Sequence, residues 1–207
     1  MKKIIIGLLF FASYSGISQN LRYGTIIGAN VYDLEIEGPI QAGTGWSYFN
    51  FGGFVDYKLN NRFGLKGHLI YTNTQETDYY YYSRTSDYYK NGPMFSTAKL
   101  KTLQMHTLGK FDVRRYYNKG FYLLGGFKTT FVLDAKTNEN VDLKDFYEKV
   151  NFGGMFGFGV TFLKNFSFET VVDYSLTSTV VDSDKTKNLG CYGNLLFNVE
   201  PLFNKKK

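Results

Sequence analysis

Eight segments of this chain alternate, residue by residue, between an apolar and a polar or small side chain. The plainest is 152–162, FGGMFGFGVTF. Phe152, Gly154, Phe156, Phe158, Val160 and Phe162 take one set of positions, and Gly153, Met155, Gly157, Gly159 and Thr161 take the other. A period of two is that of a β-strand, whose successive side chains point to opposite faces. The other segments lie at roughly 22–32, 46–59, 63–74, 99–114, 120–134, 166–177 and 188–200. Aromatics make up 19% of the chain, a bias toward strands rather than helix bundles.

The connections sort into two kinds. Asn60-Asn61-Arg62, Tyr116 to Lys119, and Lys164-Asn165 are tight and rich in turn-forming residues, whereas 33–45, 75–98, 135–150 and 178–187 are long. Long and short alternate strictly. An up-and-down sheet with every tight turn at one end produces this pattern. The expected fold is all-β: an eight-stranded, antiparallel, up-and-down barrel, transmembrane by the length and outward rings of its strands, with no amphipathic helix needed and no internal domain boundary.

Alternation alone does not say which face is outside, since a secreted lipocalin-like barrel also alternates, with its apolar side inward. Length and volume decide. Phe121 and Phe131 stand ten residues apart, as do Phe152 and Phe162. Ten residues span ~34 Å of strand, and a tilt of ~45° reduces this to a height of ~24 Å. That is close to the ~25 Å apolar band between the aromatic girdles of outer-membrane barrels. The apolar face carries Phe51, Phe63, Leu65, Leu69, Tyr71, Phe111, Phe121, Leu123, Phe127, Phe131, Phe156, Phe158, Phe162, Phe166, Phe168, Tyr174 and Phe197. An eight-stranded barrel is only just wide enough inside for ordinary side chains. So many rings must face lipid, leaving the small and polar residues a narrow polar lumen.

The first segment, MKKIIIGLLFFASYSGIS, has the charged start, short apolar stretch and small residues of a secretory signal. Residues 1–18 are expected to be a signal peptide cleaved before Gln19, with 19–207 as the barrel domain. Without Lys2 and Lys3 the formal charge falls from +6 to +4, and three of the remaining positives are Lys205, Lys206 and Lys207. The basic residues form no patch interleaved with aromatics, so no nucleic-acid partner is expected. Cys191 is the single cysteine, which excludes an intrachain disulfide and a cysteine metal cluster.

At the level of whole segments the chain resembles the Bacteroidota-type outer-membrane β-barrel domain family, the porin-family or PorT-like small barrels. The resemblance is carried by YGTIIGANV, by FGGFVDYKLNNRFGLKGHLIYT, by KLKTLQMHTLGKFDVRRYYNKGFYLLGGFKTTFVLDAK and by NLGCYGNLLFNV. It implies eight strands, both termini in the periplasm and long loops outside the cell. It also implies location in the outer membrane, with lipid and the barrel insertion machinery as partners, and a link in some members to secretion. The chain departs from the family at its end, where Phe203 is followed by Asn204 and three lysines instead of closing on an aromatic residue.

Three groups of residues are candidates for function. The loop TQETDYYYYSRTSDYYKNGP carries Tyr79, Tyr80, Tyr81, Tyr82, Tyr88 and Tyr89, and such clusters favour protein contacts. Binding of an extracellular or envelope protein competes there with a hairpin tip whose rings pack on one another. The lumen charges include Asp56, Lys66, Lys110, Asp112, Arg114, Lys128, Glu169 and Asp173. Their mixed signs point to a salt-bridged plug, with Lys110, Lys128, Glu169 and Asp173 as its core, because buried charges find partners. Lys128 and Asp173 are expected to meet across the space left by Gly157 and Gly159. His68 and His106 should face the lumen on neighbouring strands as hydrogen-bonded residues, since they lack a third metal ligand.

No cofactor, metal site or catalytic constellation is expected. The leading reading is a non-enzymatic barrel with a structural or interaction role through its long loops. A passive channel for small solutes, a secreted lipocalin-like binder and a lipid-modifying enzyme are the alternatives.

Overall fold

A computed structural model of the chain describes residues 20–36, 44–77, 97–114, 116–181 and 186–203. The strands are β1 (Leu21–Ile36), β2 (Thr44–Lys58), β3 (Phe63–Thr77), β4 (Thr97–Asp112), β5 (Gly120–Thr137), β6 (Val150–Leu163), β7 (Phe166–Ser175) and β8 (Thr186–Asn198). Each pairs antiparallel with the next, and β8 returns to pair with β1, so the sheet closes as a barrel in sequence order. Closure leaves no edge strand, which a membrane interior requires because it offers no partner to backbone N–H and C=O. Residues 1–18, where a signal peptide is expected, and the tyrosine loop 78–96 lie outside the described residues.

The strand boundaries differ from the sequence pattern for local reasons. β4 stops at Asp112, not at 114. The Asp112 carboxylate accepts the Asn118 N–H at 3.0 Å, and the chain turns back through positive φ at Asn118 (59°) and Gly120 (90°). Arg114 therefore stands exposed on the turn and not in the lumen where the alternation put it. β8 ends at Asn198, whose side chain accepts the Glu200 N–H at 3.3 Å. Pro201, which cannot donate to a ladder, then sits in a one-turn helix, α1 (Glu200–Phe203).

None of the seventeen apolar-face residues named above is buried, and each is exposed or half-exposed on the outer wall. Phe156 is 62% exposed while its strand neighbours Met155 and Gly157 turn inward. Outer rings also pair across strands: Phe121 stacks on Phe158 with centroids 5.5 Å apart, and Phe63 meets Phe111 at 5.0 Å. The wall is interrupted where β2 slips register between Trp46 and Asn50, so that Tyr48 and Phe49, consecutive in sequence, both point out.

The lumen is less polar than the alternation suggests. One inner cluster joins Ile26, Phe54, Ile70 and Leu196, and a second joins Leu108, Tyr122, Leu124, Met155, Val171 and Tyr192. A barrel of this girth has no bulk-water channel to solvate its inner face, so aliphatic side chains fill the width between the charges.

Candidate functional site in the lumen and at its two mouths

Three lysines organise the interior. Lys66 on β3 reaches across the barrel to Glu169 on β7, which also accepts the Tyr122 hydroxyl at 2.7 Å. The Lys66 ammonium also lies 5.2 Å and 5.1 Å from the centres of the Phe54 and Tyr122 rings, so two ring faces add to the carboxylate in holding its charge. Toward the long-loop end, Lys128 pairs with Asp173 and donates to the Tyr192 hydroxyl at 3.2 Å. Toward the short-turn end, Lys110 lies 3.0 Å from Asp56 and 3.7 Å from Asp112, and also donates to Asn118. Tyr117, in the β4–β5 turn, donates to Asp56; burial and that carboxylate push its hydroxyl above the usual tyrosine range, which keeps it a donor.

Of the four residues singled out from the sequence, the structure joins Lys128 to Asp173. It sends Lys110 to Asp56 and Asp112, and gives Glu169 to Lys66. The glycines serve different partners from those expected. Gly157 pairs in register with Leu124 and Val171, and Gly159 with Tyr122 and Glu169. A Cβ on Gly159 would lie 2.4 Å from the Tyr122 ring, so this glycine makes room for a tyrosine. Room for the Lys128–Asp173 pair comes from Gly153, level with Lys128, and from Gly190, where a Cβ would sit 2.2 Å from an Asp173 oxygen. The stagger between strands displaces the pair toward the long-loop end of β6, away from Gly157 and Gly159.

His68 and His106 face each other directly across β3 and β4, with ring centres 5.6 Å apart. His68 Nε2 lies 3.4 Å from Glu169 Oε2, and His106 lies 3.4 Å from Gln104 Oε1. Among the described residues no group of three or more His, Cys, Asp or Glu is placed to hold a metal. Each of Asp56, Asp112, Glu169 and Asp173 has a lysine within ion-pair distance, so these carboxylates act as counter-charges in a packed interior.

The long-loop mouth holds a feature that the alternation did not reveal. The β5–β6 connection folds over the opening and buries Leu143, Phe146 and Tyr147 against Ala98, Leu100, Ala135 and Val180. It is fixed from both sides: Leu143 N–H donates to Ala135 C=O at 2.9 Å, and Val181 N–H to Phe146 C=O at 3.0 Å. Tyr147 and Tyr32 both donate to Glu76 below the cap. Beneath it remains a cavity of about 40 Å3, lined by Thr74, Gln104, Thr130 and Tyr192 among others, enough for a water or so. The sequence signal was present in the spacing Leu143, Phe146, Tyr147, three apolar residues inside a stretch otherwise rich in charge.

Comparison with known proteins bears on the whole barrel. The closed barrel resembles the crystal structure of Neisserial surface protein A, with a TM-score of 0.55 and 13% identity over 84% of this chain and 96% of that one. It also matches Ail, the attachment invasion locus protein of Yersinia pestis (TM-score 0.49, 13% identity, 86% and 99% coverage), and OprG from Pseudomonas aeruginosa (TM-score 0.43, 13% identity, 86% and 91%). A search of curated protein sequences returns no match. Residues 17–181 match the family model described as outer membrane protein beta-barrel domain. With that match over most of its length, and with an aromatic wall around a closed eight-stranded sheet, the chain belongs to the outer membrane β-barrel domain family and resides in the outer membrane.

Proposed function

We propose that this protein is a non-enzymatic outer-membrane barrel, plugged by its own side chains, that acts through the loops at its long-loop end. The observation that carries this is the lumen itself. Three lysines are each neutralised inside it, and an apolar cap covers one mouth, leaving a residual cavity of about 40 Å3. Such an interior supports a structural or binding role better than passage of solutes. Short turns face the periplasm in barrels of this kind and long loops face outward, so the tyrosine loop, with Tyr79 to Tyr82, Tyr88 and Tyr89, is the surface offered to an extracellular or envelope protein. Kinship with the PorT-like barrels, on the segments quoted above, and export by a cleaved signal peptide over residues 1–18 belong to the same reading.

Two measurements test it. In planar bilayers the refolded protein should give no steady conductance, and a stable open level would favour the passive channel instead. On whole cells, cross-linking should capture a partner with the intact chain and lose it when residues 79–89 are deleted. Capture that survives the deletion would remove the loop from the interaction.

A further inference from the structure

The short-turn mouth gathers five basic side chains. A basin of about 600 Å3 opens there, lined by Arg22, Lys58, Arg114, Lys119 and Lys164, and no carboxylate lines it. Among the described residues none of these five lies within ion-pair distance of an Asp or Glu, in contrast to Lys66, Lys110 and Lys128 in the lumen just above. Of the carboxylates at this end, Asp56 is taken by Lys110 and Tyr117, and Asp112 by Lys110 and the Asn118 N–H, while Glu200, next to Val199 at the end of β8, does not line the basin. The basin is also shaped. Gly120, at φ 90°, has no Cβ, and the Arg114 side chain folds over that gap, 3.6 Å from where a Cβ would stand. Arg22 is held by donating to the Lys164 carbonyl at 3.1 Å.

Converging like charges repel one another and focus a positive potential into a concavity, which an anion relieves. The outer rim of the basin is apolar: a register slip between Thr161 and Leu163 leaves Phe162 and Leu163 both exposed on the lipid side. A ligand there meets cations on one side and hydrocarbon on the other. We propose that the basin binds the phosphodiester headgroup of an anionic phospholipid of the periplasmic leaflet, with its acyl chains lying against Phe162 and Leu163. Only the leaflet named here rests on the orientation proposed above. The charge pattern and the binding do not depend on it.

The test uses the full barrel refolded in neutral detergent, with phosphatidylglycerol and phosphatidylcholine added and bound lipid counted by native mass spectrometry. Phosphatidylglycerol should be retained and phosphatidylcholine should not. Arg114→Gln, Lys119→Gln and Lys164→Gln together should weaken retention at least ~tenfold, since each basic residue near a membrane surface adds attraction for anionic lipid. All three stand exposed on turns, so the barrel should fold, and heat-modifiable gel mobility checks this. A control with Lys99→Gln, Lys101→Gln and Lys136→Gln at the opposite rim should bind as the parent does. Equal retention of the two lipids, or equal loss in basin and control variants, would overturn the proposal. Displacement of the lipid by an equal concentration of inorganic phosphate would overturn the lipid assignment in favour of a free-anion site. Labelling of Asn61→Cys and Ser86→Cys on whole cells with an impermeant thiol reagent checks the orientation separately.

Discussion

The outer wall and the lumen are built from the same strands, yet they follow different rules. On the wall each side chain answers first to the solvent: Phe156 and Phe168 need hydrocarbon beside them, and a paired ring such as Phe158 on Phe121 gains only about 0.5–1.5 kcal/mol from its neighbour. In the lumen each side chain answers to a partner. Lys66 is tolerated because Glu169 is there, and Gly159 is needed because Tyr122 fills its place. The wall is a composition, and the lumen is a set of matched contacts. Substitutions on the wall should therefore behave additively and by depth, and substitutions in the lumen should couple.

The largest effect should come from filling a lumen glycine. A Cβ on Gly157 would lie 2.3 Å from the Thr170 carbonyl oxygen and 2.7 Å from the Val171 Cα, both backbone atoms that cannot move aside. Gly157→Phe should abolish barrel formation, seen as loss of heat-modifiable mobility after refolding. Even Gly157→Ala should lower the yield.

Next come the paired charges. Asp173→Asn strands the buried Lys128 ammonium and should cost about 3–5 kcal/mol in urea titrations of the vesicle-inserted barrel. Adding Lys128→Met should return part of that loss, with a coupling of about 0.5–3 kcal/mol. Strictly additive losses would mean that the two charges do not stabilise each other, and would break the contrast drawn here.

On the wall, Phe158→Arg should cost about 2–4 kcal/mol near the bilayer midplane, falling toward the interfaces. The same change at Phe162, near the short-turn rim, should be milder. Equal costs at the two depths would argue against a lipid-facing wall. The smallest effect belongs to Arg114→Gln, exposed on its turn, which should change stability by less than about 0.5 kcal/mol.

The same division explains what the sequence made legible. Period two marks the strands, the alternation of long and short connections sets their order, and ring volume against barrel girth sets the wall, so all eight strands, the tight turns and the outward aromatics could be read directly. Phase shifts could not. The slips at Gly28/Asn30 and Trp46/Asn50 both mark one extra residue in β2, the slip at Lys101/Thr102 marks one in β5, and the slip at Thr161/Leu163 marks one in β6, none of which the alternation announces. Lumen partners were only partly legible. Residues of opposite charge at similar height suggested Lys128 with Asp173. The partner of Glu169 sits on β3, four strands away, and depends on the stagger of the closed sheet, which no local pattern carries. The cap of Leu143, Phe146 and Tyr147 was hidden because three apolar residues in a charged loop look like ordinary loop composition.

The most direct test of an outward aromatic wall uses the chain's single tryptophan, Trp46. It is replaced by Trp46→Phe, and Phe158→Trp is introduced in that background. The protein is then refolded into vesicles whose lipids carry bromine near the bilayer centre. Strong quenching of the tryptophan emission, with no response to aqueous iodide, is expected of a ring in hydrocarbon at mid-depth. Emission that ignores the brominated lipid would place position 158 on the inner face and contradict the arrangement of wall and lumen.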